Sequence, residues 1–375
     1  MGSTFGEKRQ HAVDAPRATS RPLKVAVVGC GVAAQALHLP TLSRYRDVFD
    51  LRAVVDLDAA LCRRVADRWH TVPATLESVL DGDLDAVLLL TSGDRGPLIL
   101  SSLEANVHVF AEKPLCRTTA DARLAMEVAG RRELRLMTDY MKWFDPAFVE
   151  ACRQVSTVAG ADREGLLTIL TINPSEERYL AHHRMTPRTV TGAGDPAGER
   201  AWERLRSELP GVPIPGLEFY ADVLLDCCIH DFYCARRLAG APRALIEARC
   251  DTRRSSAHIA WETDRGVRVE YDFVRLASEN VRYRERFDYC CPALALTLDF
   301  PSPYLRHQPT SLEWHGTAGA HLTTRTADHY AEAFELALLH FADCVRDPAR
   351  TMDATAADWL DDLGFVQGVT RVAFS

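Results

Sequence analysis

From residue 24 onward the apolar positions fall into short β-branched runs separated by stretches with helical spacing. Residues 24–28 read as a strand that ends in the glycine turn Gly29-Cys30-Gly31-Val32-Ala33-Ala34, and an amphipathic stretch follows toward Arg46. The alternation continues with strands at 51–55, 71–72, 86–90, 107–111 and 134–138, and with helices at 59–69, 97–105 and 119–130. The run 86–90 is apolar at every position, as expected of a parallel strand covered on both faces. This pattern predicts a doubly wound α/β Rossmann domain over 22–145. Residues 1–21 show neither periodicity and read as a flexible leader.

The texture changes after Asp145-Pro146, where an aspartate cap and a first-turn proline open a helix running to 158. Longer strands follow at 166–172, 244–252, 257–263, 267–274, 283–290 and 293–300. They predict an α+β second domain over 146–375 with an open, mostly antiparallel sheet, closed by helices at 328–345 and 354–372. Between the first of these strands and the next helix lies a polar stretch, 173–216, long enough to be either functional or disordered.

Length and composition bound the partners. A chain of 375 residues suits two cores, and 47% hydrophobic with 26% charged residues is ordinary for a folded soluble protein. A net charge of -8 excludes a phosphate-neutralising nucleic-acid surface and leaves a small-molecule partner. No apolar run approaches the length of a bilayer span, so no membrane partner is expected. The eleven cysteines read as free thiols of a cytoplasmic protein: the adjacent pairs Cys227-Cys228 and Cys290-Cys291 lack the spacing that converges two thiolates on zinc, and no metal is expected.

The glycine turn carries the first chemistry. Gly29 serves the tight strand-to-helix turn, Gly31 leaves room for a pyrophosphate, and Ala34 is small enough for helix–sheet packing. Helix N–H groups then face the phosphates. The next strand ends at Asp56, where a carboxylate meets the adenosine ribose hydroxyls, which favours NAD over NADP; Arg63 and Arg64 keep NADP open, and a plain helix cap is the alternative role for Asp56. Thr91 and Glu112, past the ends of later strands, complete the expected cofactor-binding set with Lys113.

Lys113 stands in Glu112-Lys113-Pro114 at the carboxyl edge of the sheet, where ligands of open α/β folds bind. Asp226 and His230 are four residues apart, so on an α-helix they share a face; the pair suits either proton transfer or a structural salt bridge. Asp231 reads as a solvated neighbour.

These motifs together resemble the glucose-fructose oxidoreductase, inositol dehydrogenase and rhizopine-catabolism family, Gfo/Idh/MocA. The resemblance rests on 25–31 with Ala34, on His38-Leu39-Pro40, on 107–115, on 144–148 and on Asp226 with His230. It implies an NAD(P)-dependent dehydrogenase acting on a secondary alcohol of a sugar, sugar nucleotide or cyclitol. His230 would be the general base, Lys113 the hydrogen-bond donor to the reacting hydroxyl, and Asp226 the group that orients His230. A homodimer or homotetramer is implied as well. Relatives that oxidise transiently, as lyases, epimerases or glycosidases, and non-catalytic sensing regulators are the alternatives within the resemblance. The chain departs from the family at Phe219-Tyr220-Ala221, Cys228 and Tyr233, and Arg95 stands where a histidine is often found. His182, His183 and Arg184 in the polar stretch are placed to reach a bulky or anionic ligand.

Overall fold

The computed structural model describes residues 21–158, 164–174, 182–187, 196–276, 281–318, 321–327 and 330–375. The expected leader lies outside them except for Arg21, which pairs with Asp85 at 2.6 Å.

Six parallel strands build the first sheet: β1 (Leu23–Val28), β2 (Phe49–Val55), β3 (Val72–Ala74), β4 (Ala86–Leu89), β5 (His108–Ala111) and β6 (Leu136–Thr138). Their order is β3-β2-β1-β4-β5-β6, so the crossover between halves falls beside β1, at the glycine turn. All four residues of β4 are buried, as the unbroken apolar run requires. The covering helices are α1 (Leu39–Arg44), α2 (Ala59–Trp69), α3 (Leu76–Leu80), α4 (Gly96–Glu104) and α5 (Thr119–Arg131). α2 starts where Asp58 accepts from the N–H groups of Ala60 and Leu61. Before α1 the helix is widened over Ala34–His38, where the Leu39 N–H reaches back five residues to Ala34. Pro40 has no N–H to continue the α ladder, and a π turn re-pairs the displaced carbonyls.

The second sheet contains β7 (Leu166–Pro174), β8 (Pro242–Asp251), β9 (Ser256–Thr263), β10 (Arg268–Leu276), β11 (Arg284–Cys291), β12 (Leu294–Phe300), β13 (Ser311–Ala318) and β14 (His321–Ala327). Its order is β14-β13-β12-β11-β7-β10-β9-β8, antiparallel except for the parallel β7–β10 pair. The strands β13 and β14 extend the sheet beyond the sequence reading, and β14 occupies ground just before the expected start of the first closing helix. One face is packed by α6 (Pro146–Val158), α9 (Ile229–Ala239) and α11 (Ala356–Ala373). Exposed alternate positions on the strands carry cross-strand and same-strand ion pairs such as His258–Asp272 at 2.9 Å and Arg286–Asp288 at 2.8 Å.

The polar stretch 173–216 is not a single loop. It holds α7 (Pro196–Glu208) and the start of α8 (Ile214–Phe219). Ala201, Leu205 and Leu209 recur every four residues and are buried, while Glu208 accepts from the Thr119 N–H at 2.8 Å and from Gln367 at 2.9 Å. A helix with so few apolar positions reads as polar text, which is why the sequence pattern passes over it. Residues 175–181 and 188–195 of that stretch lie outside the described residues.

The closing helices return to the first domain. α10 (Ala333–Arg346) packs on β5 and on the short turn Met141–Phe144, and Thr138 donates its N–H to Ala354 at 2.8 Å. Glu335, buried on α10, accepts from Tyr45 at 3.0 Å and from Arg306 at 2.7 Å, tying the two domains.

Candidate active site

The glycine turn is held from both sides. Gly29 donates to Val55 at 2.8 Å, and Cys30 donates its N–H to the Asp56 carboxylate at 2.8 Å. Asp56 also accepts from the Asp58 N–H at 2.8 Å. Asp58, not Asp56, is the helix cap, so Asp56 is left to brace the turn at the tip of β2. Leu57 beside it is 98% exposed. Gln35 seals the far side, donating to Cys30 O at 2.8 Å and pairing with the Thr186 backbone at 2.7 and 3.1 Å.

The two glycines have different physical reasons. Gly29 has φ +100°, and a Cβ there would lie 2.6 Å from the Thr91 nitrogen, so the turn is pressed against the end of β4. A Cβ on Gly31 would meet nothing within 4 Å. That open space in front of a helix N-terminus is the cradle a pyrophosphate fills. Thr91 lies directly behind, with a buried hydroxyl that has no hydrogen-bond partner. An NAD-type dinucleotide therefore fits Gly29, Cys30, Gly31, Val32, Ala33 and Ala34, flanked by Asp56 and Thr91.

Lys113 projects from the carboxyl end of β5 into the second domain. A buried Arg95, donating to Pro114 O at 2.6 Å, props the segment after it; burial pulls that guanidinium down to about 10. The Lys113 ammonium donates to the Asp226 backbone oxygen at 2.5 Å and stands 3.5 Å from its carboxylate. The lysine charge holds the Asp226 carboxyl below the usual range, against a desolvation that works the other way, with Arg275 and Arg95 adding to it.

Asp226 and His230 sit on one continuous helix, but its winding changes between them. Tyr220–Cys228 is π-wound, and α9 begins only at Ile229. In a π turn the residue five positions on, rather than four, stacks above, so the shared-face expectation from four-residue spacing does not carry through. The partners of the two side chains differ accordingly. Asp226 engages Lys113, whereas His230 Nδ1 meets the Tyr233 hydroxyl at 3.0 Å. Asp226 and His230 share neither a hydrogen bond nor an ion pair among the described residues. Burial pushes the His230 imidazole well below its ordinary value, and the positive charges of Lys113 and Lys142 push it further. Lys113, Asp226 and His230 thus gather at one edge of the first sheet, with the lysine between carboxylate and imidazole influence.

Tyr233, which the sequence shows only as a departure from the family pattern, proves to be the partner of His230. Its ring stacks on Tyr140 at 4.0 Å and its hydroxyl donates to Met141 Sδ at 3.3 Å. Asp231 is corrected outright: it is 1% exposed, not solvated. It accepts from Tyr271 at 2.7 Å and Thr171 at 2.9 Å, and it joins a buried network with Glu285, which is ion-paired to Lys142. Burial and the Glu285 charge push the Asp231 carboxyl well above the usual range. No periodicity flagged this group, because its members come from five distant segments.

Of the residues expected to reach a ligand from the polar stretch, His183 instead pairs with Tyr304 O at 2.7 Å, and Arg68 holds the Arg184 carbonyl at 2.6 Å. Arg63 is exposed on α2, and Arg64 donates to Pro187 O at 2.9 Å. Glu112 is buried and faces His38 at 3.1 Å rather than the glycine turn. All eleven cysteines are free thiols.

A parallel 3-2-1-4-5-6 sheet with open space before a helix N-terminus, and a helix packed on a mostly antiparallel second sheet that brings an Asp and a His to its edge, define a two-domain dinucleotide-binding scaffold. Residues 23–140 match the Gfo/Idh/MocA oxidoreductase family, NAD-binding Rossmann fold. Inositol 2-dehydrogenase 3 of Saccharopolyspora erythraea is 30% identical over 132 residues, 34% of this chain and 39% of that protein. The scyllo-inositol 2-dehydrogenase (NAD(+)) of Bacillus subtilis is 21% identical over 75% of this chain and 72% of its own length. The matches to the first curated relatives span about two-fifths of those proteins. Two solved structures share the fold across both domains. The 3-ketoreductase KijD10 of Actinomadura kijaniata, solved with NADP and TDP-benzene, is 20% identical with a TM-score of 0.68, covering 92% of this chain and 96% of that one. UDP-N-acetylglucosamine 3-dehydrogenase GnnA of Acidithiobacillus ferrooxidans is 18% identical with a TM-score of 0.68, covering 94% and 98%.

Proposed function

We propose that the chain is an NAD(P)-dependent dehydrogenase that moves a hydride between a secondary alcohol carbon of a sugar, sugar nucleotide or cyclitol and a nicotinamide ring, with NAD the preferred cofactor. The observation that carries this reading is the neutral His230 imidazole facing the same edge as a Lys113 ammonium held by Asp226. The bound dinucleotide supplies the hydride acceptor. The chain supplies the rest. Lys113 donates a hydrogen bond to the substrate oxygen and stabilises the negative charge that grows on it as the proton leaves. His230 takes that proton. Its Nδ1–H is held by the Tyr233 oxygen, whose own proton points to Met141, so Nε2 is the free base. Asp226 positions the lysine and balances its charge rather than orienting the histidine.

The relatives named for inositol dehydrogenation and for ketoreduction of nucleotide-linked sugars support the substrate classes. The carboxylate of Asp56 supports the preference for NAD, because a ribose 2'-phosphate there meets a negative charge and the exposed Leu57. The expected homodimer or homotetramer belongs to the same proposal and is read directly by light scattering. His230→Ala is expected to lower turnover about 10²- to 10⁴-fold, the range of a lost general base, while NAD binding by calorimetry stays within a few fold of the parent. Unchanged turnover removes His230 from the role.

A further inference from the structure

Beneath the catalytic edge, three side chains from three elements of the first sheet converge in a fully enclosed space. His38 comes from the π turn that follows the glycine turn, Glu112 from the end of β5, and Asp139 from the residue after β6. His38 Nε2 is 3.1 Å from Glu112 Oε1 and 3.4 Å from Asp139 Oδ2, and the three donor atoms lie within 4.8 Å of one another. Exposure is 0%, 7% and 1% respectively. We propose that His38, Glu112 and Asp139 form a divalent-cation site of the zinc type, directly under Lys113.

The cluster holds polar atoms that nothing in the fold matches. Both Asp139 oxygens are buried and accept no hydrogen bond, although the carboxylate is aimed into the cluster. A buried carboxyl whose oxygens accept no hydrogen bond is among the most costly groups a core can hold. A divalent cation between the three side chains gives the Asp139 oxygens the partner they lack. The spacing agrees: ligands about 2.1 Å from a tetrahedral ion stand roughly 3.4 Å apart. His38 Nδ1 has no hydrogen-bond partner, so Nε2, the atom facing both carboxylates, is the ligating nitrogen. One imidazole and two carboxylates in a dry site with room for a low coordination number suit zinc better than magnesium, which keeps its waters, or calcium, which takes six to eight oxygens. Rings of Phe110 and Phe334 stand edge-on to His38 at 5.8 and 5.7 Å and close the site to solvent. A cation there ties the helix of the glycine turn to the strand that carries Lys113.

The test uses the full chain, without a polyhistidine tag, dialysed against chelator and titrated with zinc chloride. One zinc per chain is expected, with a rise in melting temperature on binding, and at least a tenfold weaker affinity in Asp139→Asn. Because eleven thiols compete for zinc, X-ray absorption at the zinc edge of the parent chain supplies a readout that needs no variant: nitrogen and oxygen neighbours alone are expected. Sulfur neighbours, affinity unchanged in Asp139→Asn, or no stoichiometric binding overturn the proposal. Should Asp139→Asn fail to fold, His38→Gln takes its place in the titration. Each of those negative outcomes assigns the cluster to a shared proton instead.

Discussion

His230 is the residue on which the proposed chemistry turns, and its surroundings hold its titration low. Burial and two nearby ammonium groups hold the imidazole neutral well below pH 6.5. Turnover in the direction of alcohol oxidation is therefore expected to stay flat from neutral pH down past the ordinary histidine range, with the acidic limb of kcat/KM lying below 6.5. A limb near or above 6.5, tracking one proton, contradicts the described environment. The same shift has a stability consequence. Below about 6.5 the unfolded chain takes up a proton that the folded chain refuses, so stability falls as the pH drops through that value, and His230→Ala removes part of the slope. The glycine turn offers a second contrast at this scale. Gly31→Ala places a methyl in open space, so the fold is expected to keep its melting temperature within a few degrees while NAD affinity drops tenfold or more. Gly29→Ala forces a Cβ against the Thr91 backbone at positive φ and is expected to cost stability itself, on the order of 1–3 kcal/mol. Calorimetry of both variants with and without NAD separates the two roles.

Among the elements, the helix carrying Asp226 and His230 shows where reading from spacing stops. Its apolar and polar residues are legible, as is the presence of an acid and a histidine on one helix, but the π winding over Tyr220–Cys228 is a backbone state that no single residue announces. The sequence therefore puts both residues on one helix but pairs Asp226 with His230, where the structure pairs it with Lys113. The first domain is read almost strand for strand, because buried parallel strands are unbroken apolar runs and helices with good spacing, such as α2 with its Asp58 cap, separate them. The strands β13 and β14 are missed for the opposite reason: their text, with Glu313, His315, Thr323 and Arg325, is too polar to stand out. The buried group of Lys142, Glu285 and Asp231 is likewise invisible in one dimension, since only the packing of α9 on β7, β10 and β11 brings it together. Lys142→Met leaves Glu285 in the core without its cation, and a loss of about 3–5 kcal/mol in urea unfolding is expected. Combining it with Glu285→Gln should recover part of that loss; strict additivity would mean the pair does not interact.

At the level of the whole molecule, the proposed cofactor cradle and proton-transfer group come from different domains, and several contacts join them. Lys113 reaches across to Asp226, α10 docks Glu335 against Tyr45 and Arg306, and the 182–187 segment pairs with Gln35, Arg64 and Arg68. No helix among the described residues is long and apolar enough to cross a membrane. The arrangement makes one claim above the others: a dinucleotide on the glycine turn and an alcohol at His230 meet at the carboxyl edge of the first sheet. The direct measurement is the absorbance of reduced nicotinamide on mixing the chain with NAD and a panel of cyclitols, sugars and nucleotide-linked sugars, run in parallel with His230→Ala. Steady growth of the signal with at least one secondary alcohol is expected, with a loss of about 10²-fold or more in the variant while NAD stays bound. Equal rates in parent and variant, or firm NAD binding with no alcohol in the panel oxidised, would contradict it.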